Sequence, residues 1–121
     1  MANILIAEDD ALSQRFVGTI AERMGHRVFP CVDGQQAWEV LCGQERFDLV
    51  ITDIMMPRMD GTTLIQNIRA EHRFAAIPII IMSAFMGVKD IAGLLTIGAT
   101  WFIPKPLDRA TLEDYINRAV K

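Results

Sequence analysis

A chain of 121 residues with 51% hydrophobic and 22% charged residues has the size and composition of one globular domain, which excludes a disordered segment. Its formal net charge of −3 argues against a surface built to hold nucleic acid or an anionic membrane. No apolar run approaches the ~20 residues that span a bilayer, and Ile4–Ala7 is too short and lacks the basic flank of a signal peptide, so the cytoplasm is the expected compartment.

In chain order, strand and helix patterns alternate five times. Asn3–Ala7 is a short run with β-branched Ile4 and Ile6 that predicts a strand. A helix is predicted from Ala11 to Met24, with Leu12, Phe16, Ile20 and Met24 on one buried stripe and Gly25 ending it. Arg27–Cys31 predicts a second strand, and Pro30 within it predicts a sheet edge, because proline donates no ladder hydrogen bond. Gln35–Cys42 predicts a helix with Ala37, Val40 and Leu41 inward. Asp48–Thr52 predicts a third strand, and a Pro-Gly loop from Pro57 to Gly61 leads into a helix over Thr62–Glu71. Pro78–Met82 is the most apolar run and predicts a central strand. A helix over Val88–Ile97 stops at Gly98, a last strand covers Thr100–Ile103, and Asp108 caps a final helix. Cys31 and Cys42 lack a metal-type spacing and are expected to be reduced, mostly buried thiols. His26 and His72 are expected to be solvated.

Five short strands joined by helical crossovers predict an α/β fold with a single doubly wound parallel sheet and helices on both faces. Such sheets carry their sites at the carboxyl ends of the strands. Those ends hold Glu8-Asp9-Asp10, Asp53, Ser83 and Lys105. If the strands are neighbours, Glu8, Asp9 and Asp53 converge. Carboxylates ~5 Å apart repel by about 3 kcal/mol per pair at an effective dielectric near 20. That repulsion calls for a cation, and hard oxygen ligands suit Mg²⁺. Lys105 adds a mobile positive charge. Acids, a divalent cation, a hydroxyl and a lysine together can hold a phosphoryl group, with Asp53 as nucleophile.

Four motifs, Glu8-Asp9, Asp53-Ile-Met-Met-Pro-Arg-Met-Asp-Gly61, Ser83-Ala84 and Lys105-Pro106, occur in that order along the whole chain. In this the sequence resembles the receiver domains of bacterial two-component response regulators, of the chemotaxis-regulator kind. The resemblance implies a flavodoxin-like strand order 2-1-3-4-5 and one receiver domain over residues 1–121. It implies that Asp53 accepts phosphate from a sensor histidine kinase or phosphotransfer protein. Asp9, Asp53 and the backbone carbonyl of Met55 would bind Mg²⁺, with Glu8 acting through water. Ser83 and Lys105 would contact the phosphoryl oxygens, Ser83 and Phe102 would form the switch, and the Lys105–Pro106 bond would be cis. The chain would then be a signalling switch acting on a downstream protein or effector domain, not an enzyme with a separate substrate, and would touch neither nucleic acid nor membrane.

Simpler readings stand beside these. Asp10 and Asp60 read as helix caps. Ser83 can satisfy the backbone at a strand end. Phe102 is as well explained by core packing as by switching, and Trp101 by packing on a helix as by anchoring a partner. Met55 and Phe85 stand where relatives influence dephosphorylation; neither can orient a water, so slow phosphate loss is expected. The helix over Val88–Ile97 is more apolar than one buried face requires. With the last strand and helix it is the expected output face, through Ile91, Leu95 and Trp101. An aspartyl-phosphate hydrolase would keep an acid where Met55 stands, and a flavin module would not place three acids where phosphate must sit. A phosphate-independent receiver scaffold is a further alternative, against which the complete set of site residues argues.

Overall fold

The computed structural model describes residues 1–84 and 87–121. Five strands and five helices alternate: β1 (Asn3–Ala7), α1 (Ala11–Arg23), β2 (Arg27–Cys31), α2 (Gly34–Leu41), β3 (Leu49–Asp53), α3 (Gly61–Ala70), β4 (Ile79–Ser83), α4 (Val88–Ile97), β5 (Trp101–Pro104) and α5 (Arg109–Val120), with a 3₁₀ turn at His72–Phe74. The strands form one parallel sheet in the order β2-β1-β3-β4-β5.

Alternation along each strand divides the core between the two faces of the sheet, as a period of two demands. Leu5, Ala7, Val50, Ile79 and Ile81 pack with Leu41 of α2, Leu64, Ile65 and Ile68 of α3 and Leu94 of α4. Ile4, Ile6, Leu49, Ile51, Ile80 and Met82 pack with Val17, Ile20 and Ala21 of α1 and Leu112 and Ile116 of α5. Every residue of β3 and β4 is buried, which explains their unbroken apolar runs. The two prolines inside strands, Pro30 and Pro104, lie in the edge strands β2 and β5.

Several expectations need correction. The buried stripe of α1 is Val17, Gly18, Ile20 and Ala21. Leu12 is 76% and Phe16 39% exposed, because the first turns of α1 overhang the carboxyl edge of the sheet beside Lys105, Pro106 and Leu107. Val40 is only partly buried. The sheet's middle strand is β3; β4 is interior, between β3 and β5. Cys42 is exposed at the C-terminus of α2, whereas Cys31 is buried and its thiol pushed up to about 11 by desolvation. His26 is half-buried and its Nδ1 accepts the Ala2 N–H at 3.0 Å, tying β1 to the loop before β2. His72 is exposed.

Candidate functional site

Register brings the acids together. Ala7 pairs with Thr52, so the next residues, Glu8 and Asp53, leave the sheet at the same level on adjacent strands. Asp53 pairs with Met82, which puts Ser83 one residue further along β4, and Ser83 in turn pairs with Pro104, one residue before Lys105. The Lys105 N–H donates to the Ser83 carbonyl at 2.9 Å, prolonging the ladder by one rung. The Lys105–Pro106 peptide bond is cis.

Local hydrogen bonds hold each piece. The Glu8 N–H donates to the Cys31 carbonyl at 3.0 Å, and the Gln14 side-chain amide donates to the carbonyls of Glu8 and Cys31 at 3.1 and 2.8 Å. Glu8 Oε2 accepts the Asp10 N–H at 3.1 Å, while the Asp10 carboxylate caps α1 through the Ser13 N–H at 2.9 Å. Asp53 Oδ1 accepts the Ile54 N–H at 2.7 Å. Gly61 stands so close to β3 that a Cβ there would run into the Asp53 carbonyl oxygen. Asp60 caps α3 through the Thr63 N–H at 2.9 Å.

At the centre, Lys105 Nζ donates to Glu8 Oε1 at 2.6 Å and to Asp53 Oδ2 at 2.9 Å. The Glu8 side chain is wholly buried and that of Asp53 nearly so. Burial lifts the Glu8 carboxyl above its ordinary range, and the Asp53 charge adds to this, against the bonds from Lys105 and the Asp10 N–H. Burial by itself would lower Lys105, but its hydrogen bonds to the two carboxylates outweigh that and hold the ammonium above its ordinary value. The two directions have different causes: desolvation favours the neutral form of Glu8, and the neighbouring carboxylates favour the charged form of Lys105. Asp9 adds a third acid from an exposed position, and one oxygen from each of Glu8, Asp9 and Asp53 lies within 4.8 Å of the others. Three carboxylates against one ammonium leave two negative charges on a hard, all-oxygen donor set. That fits a divalent cation such as Mg²⁺.

The other expected residues surround this cluster. Met55, in the loop after Asp53, turns its side chain out to 76% exposure. Ser83 is buried at the end of β4. Phe102 is half-buried and packs against the cluster formed with α2, α3 and α4. Trp101 packs on the opposite face, its ring 6.0 Å from that of Tyr115 in α5. Ile91 is half-buried and Leu95 is 43% exposed. Phe85 lies outside the described residues. Sequence reasoning did not find Gln14, Asp33 and Arg58, the residues that brace the site. Asp33 before Gly34 carries the signal of a helix cap, whereas nothing local distinguishes Arg58 from an ordinary loop arginine.

Among known proteins, the family model of the response regulator receiver domain matches residues 4–117. The transcriptional activator protein PfeR of Pseudomonas aeruginosa is 37% identical over 110 residues, which cover 91% of this chain and 35% of PfeR. A chemotaxis protein CheY homolog of Campylobacter jejuni is 30% identical over 115 residues, covering 94% of this chain and 88% of the homolog. The crystal structure of the signal receiver domain of a signal transduction histidine kinase from Syntrophus aciditrophicus superposes with a TM-score of 0.90 at 29% identity, over 99% of this chain and 90% of that one. The chain thus spans only about a third of PfeR but most of the CheY homolog. With the family model matched over nearly the whole length and the same fold in the solved receiver domain, the chain belongs to the receiver-domain family of two-component response regulators.

Proposed function

We propose that residues 1–121 act as one phosphoacceptor receiver, with Asp53 as the site of phosphorylation. The observation that carries this reading is the Lys105 ammonium shared between Asp53 and Glu8 beside a third carboxylate. Glu8, Asp9 and Asp53 with the backbone carbonyl of Met55 are the residues that would hold Mg²⁺. Bound there, the ion supplies positive charge that offsets the acids and the charge on the phosphoryl oxygens. The phosphoryl donor is a phosphohistidine of a sensor kinase or phosphotransfer protein. An Asp53 oxygen attacks phosphorus, the P–O bond forms as the P–N bond breaks, and the electron pair leaves with the histidine nitrogen. Lys105 exchanges its Asp53 contact for a phosphoryl oxygen, and the Ser83 hydroxyl donates to another. Withdrawal of Ser83 and Lys105 toward the phosphoryl group gives Phe102, one strand away, a reason to move.

The readout is a change at α4, β5 and α5, including Ile91, Leu95 and Trp101, that a downstream protein or effector domain recognises. Such a domain catalyses only its own phosphorylation and dephosphorylation. Among the described residues no helix is long and apolar enough to cross a membrane, and the cytoplasm, where sensor kinases present their phosphohistidine, is the compartment this role requires. The exposed Met55 side chain cannot position a water, so the phosphoryl group is lost slowly, and Met55→Asn shortens its lifetime.

Incubation with acetyl phosphate and Mg²⁺ followed by intact mass tests the reading. Wild type gains the mass of one phosphoryl group and Asp53→Ala does not. Equal uptake by the variant would overturn the assignment.

A further inference from the structure

The loop between β3 and α3 leaves directly from Asp53, carries Met55 and is tied down at both its base and its tip. At the base the Gly61 N–H donates to the Ile54 carbonyl at 2.8 Å. At the tip Arg58 makes a two-pronged contact with Asp33, Nε to Oδ2 at 2.8 Å and Nη2 to Oδ1 at 3.2 Å. Beside it the Gly34 N–H donates to the Met59 carbonyl at 3.0 Å, and a Cβ at Gly34 would collide with that carbonyl. Asp33 is buried and also caps α2 through the Gln36 N–H at 2.8 Å. The loop tip is thereby fixed to the start of a helix that is packed in the core.

Arg58 has a φ of 67°, in the left-handed region that residues with a Cβ avoid. A forked guanidinium–carboxylate contact has the directionality to hold a backbone there, which a lysine lacks. The Arg58 side chain is more than half exposed, so the pair by itself adds at most about 1 kcal/mol to stability. A placing role accounts better for its geometry.

We propose that Asp33 and Arg58 form a positioning clasp that sets the β3–α3 loop, and with it the backbone carbonyl of Met55, before a cation binds. This rests on the reading of the acid cluster as a Mg²⁺ site. The sign of the effect separates placing from charge. By Coulomb's law, deleting a positive residue near an acidic cluster tightens cation binding. A clasp predicts the reverse.

The test is Mg²⁺ titration of the full chain, followed by amide shifts, with hydrogen exchange of the loop amides measured without metal. Arg58→Ala should weaken Mg²⁺ binding roughly tenfold, as loss of an outer-shell support does, and speed exchange in the loop. Arg58→Lys should recover part of both, and Asp33→Asn, which keeps a capping oxygen, should behave like Arg58→Ala. Equal or tighter Mg²⁺ binding by Arg58→Ala, or loop exchange unchanged from wild type, overturns the clasp. Failure of wild type to bind Mg²⁺ would instead overturn the metal reading, and the exchange measurement would still judge the clasp.

Discussion

Helices α3 and α4 have the same length and flank the same face of the sheet, yet they are held very differently. α3 buries Gly61, Leu64, Ile65 and Ile68 and is capped by the Asp60 carboxylate. α4 is richer in apolar residues, but Leu94 alone of its described residues is buried. Val88 is 86% and Leu95 43% exposed. Its N-terminus has no side-chain cap; the Gly87 N–H donates to the Asp90 carboxylate at 3.3 Å. Its far end is gripped from outside, where Arg69 of α3 donates to the Gly98 carbonyl at 2.9 Å. Apolar content therefore does not measure anchorage. What counts is whether the stripe meets a partner, and a helix with a thin buried seam and an exposed apolar face is free to shift at low cost.

That contrast can be broken by measurement. Leu64→Ala in α3 should cost about 3 kcal/mol in urea unfolding, because it removes a wholly buried side chain and leaves a cavity. A similar loss from Leu95→Ser would erase the distinction between the helices. A smaller effect of opposite sign is expected at Gly93, where an added Cβ meets nothing within 4 Å among the described residues. Gly93→Ala should stabilise the protein by roughly 0.5–1 kcal/mol through helix propensity and slow amide exchange in α4. If it destabilises, α4 is packed more tightly than its exposure indicates.

The anchored side also has its own acid sensitivity. The Asp33 carboxyl is held below the usual carboxylate range, first by the hydrogen bond from the Arg58 guanidinium and then by the Gln36 N–H. Because the folded value is depressed, the unfolded chain takes up this proton first as pH falls. The stabilisation is complete above the ordinary carboxylate value and is lost as pH drops through it toward the folded value. The stability gap between wild type and Arg58→Ala should accordingly narrow below about pH 4; a gap constant from pH 7 to 3 would refute that origin. The smallest effect is expected from Leu95→Ser, within ~0.5 kcal/mol, with phosphate uptake at Asp53 intact.

Much of the site was legible because its residues sit where local patterns end. Glu8, Asp53, Ser83 and Lys105 each close or follow an apolar strand, and the strand-to-helix rhythm places such positions on one edge. Residues whose role is set by distant partners were less legible. Leu12 and Phe16 have helical spacing but project past the sheet, Cys42 looks like core but is exposed, and Arg58 acquires its meaning only from Asp33, far away in sequence. Lys105 shows the same division, since its location was readable but its shared contact with Glu8 was not.

By itself the sequence determined the succession of elements, the caps Asp10, Asp60 and Asp108, the edge character of β2, and the strand-end acids. These follow from short-range rules of backbone sterics, periodicity and hydrogen bonding within a few residues. Only the tertiary structure decided which apolar faces find partners, which carboxylates share the ammonium, and how the loop after Asp53 is tied to α2. Those outcomes depend on register between strands and on desolvation at particular distances, quantities that exist only once remote segments have packed together.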